Sequence, residues 1–388
     1  MFSFLQKSRV YLDWAAAAPV SPKAQRAFEV CAHLYGNPGS VHEEGRQARE
    51  VLEQARATIA TCAEVKTEAV IFTGSATEAN ALGLLGHIKA LGRPYEDLHV
   101  LYTQGAHSSV TKNIDRLRTE GVQTEALIYK DGELDLNALA TQIRTNTVLV
   151  AVSAVCGETG AITPVRDIRR VLDRVHEGVV LFVDASQLPF VAPFELTRLG
   201  ADMLTLDAQK VGGVRGIGAL IAPRRVPLAP LYAGGGQERG LRSGTPSSAL
   251  ASAFAAALQE AHESRESFLT RAQEFRATFL AIVASIPRLV VNEGKEQTPH
   301  ILNISLLGRD TDYLVALLDK ARVAVSTRSS CETNEEGSRA VLGLTGDEER
   351  ARTTLRISWG PTTSESEITR AAHAVVAAVK FLDSTGIL

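Results

Sequence analysis

Asp184 and Lys210 are the residues of this 388-residue chain whose types and placement first suggest chemistry. Asp184 closes the apolar run Val179-Val180-Leu181-Phe182-Val183. Lys210 follows the run Met203-Leu204-Thr205-Leu206 through Asp207-Ala208-Gln209. A short β-branched or apolar run that stops at a charged residue reads as a buried strand delivering a side chain at its end. The 26 positions between the two residues fit a strand, a crossover and the next strand. In open α/β sheets ligands sit beyond the carboxyl ends of the strands. A carboxylate and a primary amine at that edge suit pyridoxal phosphate (PLP), which takes a Lys for its Schiff base and an acid for its pyridinium nitrogen. The same pair also reads as a salt bridge, or as two unrelated loop side chains.

Four other positions carry chemistry-bearing types. Gly74-Ser75-Ala76-Thr77 lies between the run Val70-Ile71-Phe72 and a helical stretch. Backbone N–H groups at such a helix start bind phosphate; the alternative is an ordinary cap with Thr77 as capping residue. His107 follows the run Val100-Leu101-Tyr102, where a ring could stack on a planar cofactor and pass protons, or lie idle at the surface. Cys331 sits in Ser326-Thr327-Arg328-Ser329-Ser330-Cys331-Glu332-Thr333, a segment with five hydroxyl residues and no apolar one. Free Cys is usually buried as a small hydrophobe, so this thiol is either reactive or incidental. Arg328 would favour its thiolate and Glu332 would oppose it. Arg356, in Leu355-Arg356-Ile357-Ser358, either snorkels or grips a carboxylate, which would suit an amino-acid substrate.

Composition limits the alternatives. Hydrophobic residues make up 45% of the chain and charged ones 22%, as in a core-burying globular protein. A net charge of −3 offers no electrostatic case for nucleic acid or an anionic membrane. The four cysteines, Cys31, Cys62, Cys156 and Cys331, form no C-x-x-C pair, so no zinc ribbon, other metal site or disulfide framework is indicated. No run approaches 18 apolar residues and no secretion signal is visible, so a cytoplasmic location is expected.

The elements that must position these residues alternate. Helices are expected over Val20 to Tyr35 and Val41 to Cys62, with a Gly36-Asn37-Pro38-Gly39-Ser40 loop between them. Strands are expected at Val70–Phe72, Val100–Tyr102, Thr147–Val152, Val179–Val183, Met203–Leu206 and Ala219–Ile221, with helices interleaved. That alternation predicts an α/β fold with a mostly parallel, doubly wound sheet. An Ala-rich helix from Ala249 to Ala261 continues into a charged one to Ile286. Apolar stretches at 290–291, 301–304 and 323–325 then read as a smaller α/β domain. A large domain over 15–255 is expected, with 1–14 and 256–388 forming the small one.

With these residues in place, the chain resembles the cysteine desulfurases of PLP-dependent transferase fold type I (aminotransferase class V), of the nitrogenase-associated and housekeeping iron–sulfur type. The resemblance runs from Tyr11 to about Lys380. It is carried by Gly36-Asn37-Pro38-Gly39-Ser40-Val41-His42, Phe72-Thr73-Gly74-Ser75-Ala76-Thr77-Glu78, Val183-Asp184-Ala185-Ser186-Gln187, Gly216-Ile217-Gly218-Ala219-Leu220, Gly234 to Thr245, the Cys331 segment and Leu355-Arg356-Ile357-Ser358. The resemblance implies that Lys210 holds PLP, Asp184 keeps its ring nitrogen protonated and Gln187 bonds the ring hydroxyl. His107 would stack on the ring and shuttle protons, Ala76 and Thr77 would cradle the phosphate, and Gln209 would assist. Thr245 would reach across a homodimer interface. Arg356 would clamp the carboxylate of L-cysteine, and Cys331 would take the substrate sulfur as a persulfide and release alanine. A sulfur-acceptor protein, either an iron–sulfur scaffold or a tRNA-thiolation carrier, is the implied partner.

Three departures from the family pattern stand out. Gly157 replaces a usual Asn, which leaves Gln187 alone at the ring hydroxyl. Asp207-Ala208-Gln209 replaces Ser-Gly-His before the Lys. An ionised Asp207 aimed at the phosphate would repel it by roughly 3 kcal/mol at about 5 Å with ε near 20. Asp207 is therefore expected to point away, to be protonated, to be neutralised by Arg239 or Arg242, or to weaken PLP binding. Arg328, Ser330 and Glu332 add bulk and charge to the Cys segment. Two other readings follow from these features: a class V lyase or transaminase in which Cys331 is incidental, and a degenerate dimeric binding partner without PLP.

Overall fold

The computed structural model describes residues 8–327 and 337–385. They gather into two compact units, one drawn from Ala17–Cys156 and Thr163–Arg265, the other from Met1–Ala16, Gly157–Ile162 and Glu266–Leu388.

The first unit is built on a seven-stranded sheet. Its strands are β1 (Val70–Thr73), β2 (His99–Tyr102), β3 (Gln123–Ala126), β4 (Thr147–Ser153), β5 (Val180–Asp184), β6 (Met203–Asp207) and β7 (Gly218–Ile221), in the spatial order β1-β7-β6-β5-β4-β2-β3. The run β6-β5-β4-β2-β3 is parallel, and β7 is antiparallel to both β1 and β6. Every residue of β1, β6 and β7 is buried, as expected of strands covered on both faces. The reversal at β7 has a local cause. Only residues 208–217 separate it from β6, too few for the helical crossover that a parallel neighbour needs.

The helices of this unit start where their capping residues stand. α1 (Pro22–Cys31) is capped by Ser21, with Pro22 at its first position, and is shorter than the expected 20–35. α2 (Glu43–Cys62) is capped by His42. The next helix begins with α3 (Ala76–Ala81) and runs on through a π turn, Leu82–Gly86, and a last turn, His87–Ala90. Its cap is Ser75, whose side chain accepts from the Glu78 N–H, and not Thr77. A Cβ on Gly83 would lie 2.4 Å from Phe182 Cε2, so the π turn seats the helix directly on β5. α4 (Ser108–Thr119) is capped by His107, and α5 (Val165–Val175) precedes β5. α6 (Ser248–Val283) is one helix of 36 residues; its part up to Arg265 belongs to this unit.

The second unit holds an antiparallel sheet of β8 (Leu289–Val291), β9 (Ile301–Leu306) and β10 (Thr354–Ser358). Val10–Tyr11 pairs in parallel with Val323–Ala324. Helices Thr311–Lys320 and Glu365–Thr385 pack against each other. Among the described residues no helix is long and apolar enough to cross a membrane, and no His, Cys, Asp or Glu cluster could hold a metal ion.

One buried group in this unit makes its stability pH-dependent. His300 is 3% exposed, edge-on to Phe268 and 2.6 Å from Thr298 Oγ1, and burial pushes its pKa down to about 3. The unfolded ring binds a proton near pH 6.5 and the folded one resists it. Stability is therefore intact above that pH and is lost as pH falls toward 3, by on the order of 4 kcal/mol at the end of that range. In urea unfolding from pH 7 to pH 4, the wild-type midpoint should fall more steeply than that of His300→Gln. Equal slopes would contradict this assignment.

Candidate functional site

The carboxyl ends of β1, β2, β4, β5 and β6 share one edge of the first unit's sheet, and β7 starts there at Gly218, opposite both Thr73 and Asp207. Asp184 ends β5 and is 8% exposed. Its Oδ1 accepts from the Ser186 N–H at 3.0 Å and the Ser186 hydroxyl at 2.6 Å, and its Oδ2 accepts from Asn80 Nδ2 at 3.0 Å. A carboxylate offers about four acceptor positions. Three are filled among the described residues, which leaves one for a further donor.

A hydrogen-bond chain runs from Asp184 to His107. Asn80 Nδ2 also donates to Ser109 Oγ at 2.8 Å, and Ser109 Oγ lies 2.8 Å from His107 Nδ1. The Ser109 N–H donates to the same ring nitrogen at 3.2 Å. Because the Ser109 N–H donates to Nδ1, that nitrogen carries no proton, and the Ser109 hydroxyl, which accepts from Asn80, donates to it as well. His107 Nδ1 is thus an acceptor, and in the neutral ring the proton sits on Nε2. The acceptor demand of Asp184 also fixes which way the Asn80 amide faces. Its Oδ1 is buried without a partner among the described residues.

At the start of α3, the Ala76 N–H is already engaged. Asp207 ends β6 and is 5% exposed. Its Oδ2 accepts from the Ala76 N–H at 3.2 Å and its Oδ1 from the Gln209 N–H at 3.1 Å, with Gln209 Nε2 3.4 Å from Oδ2. Burial raises its pKa against the opposing pull of Lys210 and these N–H groups. Of the four outcomes expected for Asp207, two are corrected. It does not point away, and neither arginine neutralises it. Arg239 donates to the carbonyls of Glu68 and Ala222, and Arg242 pairs with Glu78 at 3.0 Å. Glu78 also accepts from Tyr232 and from the Gly74 N–H. Burial alone would raise the Glu78 pKa, but these donors hold it below its usual value.

Lys210 closes a one-turn 3-10 helix, Ala208–Lys210, directly after β6, and is half-buried. Gln187 lies three residues after Asp184, in the turn that follows β5, and is half-buried, and Thr77 is exposed on the first turn of α3. The segment from Gly234 is pinned by Glu238, which forms a two-pronged pair with Arg56 at 2.7 and 2.8 Å and accepts from the Phe72 N–H. Thr245 follows on this segment, exposed. The first unit therefore brings Asp184, Lys210, His107, Ala76, Thr77 and Gln209 to one sheet edge.

Arg356 belongs to the second unit. It lies on β10, 3% exposed, and donates to the Gly157 carbonyl at 3.0 Å and to Asp13 Oδ1 at 2.8 Å. Its Nε is buried and unpartnered among the described residues. Gly157 thus offers its carbonyl to the guanidinium. Cys331 lies outside the described residues, as do Arg328, Ser330 and Glu332.

Asn80 and Ser109 do not figure among the residues singled out from sequence, and Ser186 stands there only within a motif, without a role. A signal existed for each: Asn80 falls on the Ala76 face of a helix at i+4, and the two serines stand two positions after His107 and Asp184. The donor set fits PLP at its pyridine end, where Asp184 keeps one acceptor position open. At its phosphate end a carboxylate occupies the Ala76 N–H.

Comparison with known proteins gives a consistent result. The aminotransferase class-V model matches residues 10–371. The chain is 32% identical over 380 residues to cysteine desulfurase IscS of Neisseria meningitidis, covering 95% of this chain and 92% of that protein. Its fold superposes on a NifS-like protein with a TM-score of 0.90 and 26% identity, covering 96% of this chain and 100% of the other. A solved structure of SspA in complex with cysteine gives 0.78 and 26%, covering 91% and 99%.

Proposed function

The chain belongs to the aminotransferase class-V family, among its cysteine desulfurases, and from that premise we propose that it takes sulfur from L-cysteine with PLP as cofactor. The observation that carries this reading is the chain Asp184–Asn80–Ser109–His107 at the strand ends that also carry Lys210. When bound, PLP supplies an electron sink for carbanion chemistry. Asp184, held still by Asn80 and Ser186, would use its open acceptor position to hold the pyridine nitrogen and favour its protonated form. His107, its tautomer set by Ser109, would offer Nε2–H as a donor. Gln187 would hold the ring hydroxyl, and Ala76, Thr77 and Gln209 would hold the phosphate group.

The Lys210 amine would hold the cofactor and, once released from it, would move the substrate's Cα proton as base and acid. Arg356 takes the substrate carboxylate with donors that Gly157 and Asp13 leave free. The Cys331 thiolate attacks the substrate sulfur. An S–S bond forms, the Cβ–S bond breaks, and its electron pair stays with the carbon skeleton, which is protonated and leaves as alanine. The resulting persulfide passes to an acceptor protein of iron–sulfur or thio-tRNA synthesis. Exposed Thr245 supports a homodimer in which it completes the partner's site. Among the described residues Cys31, Cys62 and Cys156 form no disulfide, which suits the cytoplasm we assign to it.

Purified protein supplied with PLP, L-cysteine and a thiol reductant should yield alanine and sulfide in equal amounts. Turnover of other amino acids instead would favour the class V lyase or transaminase reading. Asp184→Asn keeps the side chain's shape but removes one acceptor oxygen and the charge that would protonate the ring. Its kcat should fall by about 10²- to 10³-fold, a loss of roughly 3 to 4 kcal/mol, with KM for cysteine little changed. An undiminished kcat would remove Asp184 from this role.

A further inference from the structure

The start of α3 is a ready anion site whose first donor is already taken from inside the molecule. Asp207 reaches Ala76 N–H from the end of β6 because the strand opposite it starts at a glycine. A Cβ on Gly218 would lie 2.5 Å from the Ser75 carbonyl carbon and 2.7 Å from Ala76 N, so β7, β6 and the helix start meet without an intervening side chain. The carboxylate is 5% exposed, so water does little to screen it from a second anion brought to the same N–H. The groups facing it are few. The 3-10 turn brings Lys210 and the Gln209 amide, α3 brings the Ala76 N–H, and β7 brings Gly218. Glu78, further into the helix, is held by Arg242, Tyr232 and Gly74. Arg239 and Arg242 donate elsewhere.

We propose that Asp207 is a built-in competitor for the cofactor's phosphate group, and that the phosphate settles on the helix start only as Asp207 takes up a proton from solvent. PLP retention then strengthens as pH falls and weakens as it rises. This inference rests on the reading of the edge as a PLP site and deepens it. A neutral Asp207 keeps its place beside the Gln209 N–H and can turn a hydroxyl donor toward the phosphate. An ionised one holds the Ala76 N–H and opposes the phosphate charge. Its burial, which raises its pKa, places the neutral form nearer to working pH.

The test is calorimetric binding to the full chain stripped of PLP, with pyridoxine 5′-phosphate as probe. The probe carries the phosphate but no aldehyde, so no bond to Lys210 forms. Titrations from pH 6 to 8.5 in buffers of different ionisation enthalpy report proton uptake directly. Relative to Asp207→Asn, the wild type should take up about one more proton on binding near pH 8. Its affinity should fall by up to about tenfold per pH unit on the alkaline side, beyond any slope of the variant. Asp207→Ser should match Asp207→Asn, and both should bind the probe about tenfold or more tightly than wild type at pH 8. Pyridoxine, without phosphate, should bind all three proteins alike. Equal proton uptake and equal slopes in wild type and both variants would overturn the role of Asp207 while leaving the cofactor reading intact. Failure of all three proteins to bind either the probe or PLP at any pH would overturn the cofactor reading, and this inference with it.

Discussion

Lys210→Ala is expected to lower desulfurase turnover by at least about 10⁴-fold while leaving the protein folded. Acid–base catalysis by one positioned group is worth 10² to 10⁴, and Lys210 is proposed both to move the substrate proton and to carry the cofactor. The surrounding backbone makes the loss specific to the side chain. The turn that carries Lys210 is held from two sides: the Gln209 carbonyl accepts from the Ala18 N–H at 2.8 Å, and the Gly213 N–H returns to the Ala208 carbonyl at 2.8 Å. A Cβ on Gly213 would lie 2.9 Å from the Ala208 Cβ, so only glycine lets the chain fold back so tightly there. The half-buried Lys210 side chain fills no core space, and its truncation should move the unfolding midpoint little. Three measurements check this together: turnover, thermal unfolding, and mass analysis after borohydride reduction. Borohydride should fix the cofactor to the wild-type chain and leave the variant unlabelled. A folded variant that retains a tenth of wild-type activity would remove Lys210 from the reaction.

The strand ends were legible because burial on both faces demands continuous apolar runs, and a charged residue interrupts such a run visibly. Asp184 and Lys210 follow from that contrast alone. The partners that hold them did not announce themselves. Asn80 is a polar residue in a helix that sequence reads as ordinary, and only the seating of Gly83 on Phe182 brings it against Asp184. The direction of Asp207 was equally hidden. It depends on which strand lies beside β6 and on that strand beginning with a glycine, both of which are tertiary facts. The antiparallel β7 was readable in principle from its short connection, whereas its position between β1 and β6 was not. Family resemblance supplied a role for Thr245 that neither local pattern nor burial would assign, and chose between the two readings that local pattern left for Arg356.

Cys331→Ala should separate a desulfurase from every other chemistry that this cofactor could support. Cys331 lies outside the described residues, and the described residues on either side of its segment are held firmly in the second unit. Ser326 and Arg356 exchange backbone hydrogen bonds of 3.2 and 2.6 Å, and the Thr327 carbonyl accepts from Thr354 Oγ1 at 2.6 Å. On the far side, Ser338 caps the next helix and its hydroxyl donates to Glu158 at 2.5 Å. Of the other thiols, Cys31 and Cys62 are buried and Cys156 is half-buried, and burial pushes the Cys62 thiol up, so the attack on sulfur is proposed for Cys331. Without Cys331 the substrate can still bind, yet its sulfur has no protein acceptor. Alanine and sulfide formation should fall by at least about 10³-fold, and Cys331→Ser should behave alike, because a hydroxyl at neutral pH is a far weaker nucleophile toward sulfur. Incubated with cysteine and no reductant, the wild-type chain should gain one sulfur by mass and both variants none. Sulfide and alanine at the wild-type rate from either variant would transfer the reaction to the lyase reading, in which the cofactor site is the same and Cys331 is incidental.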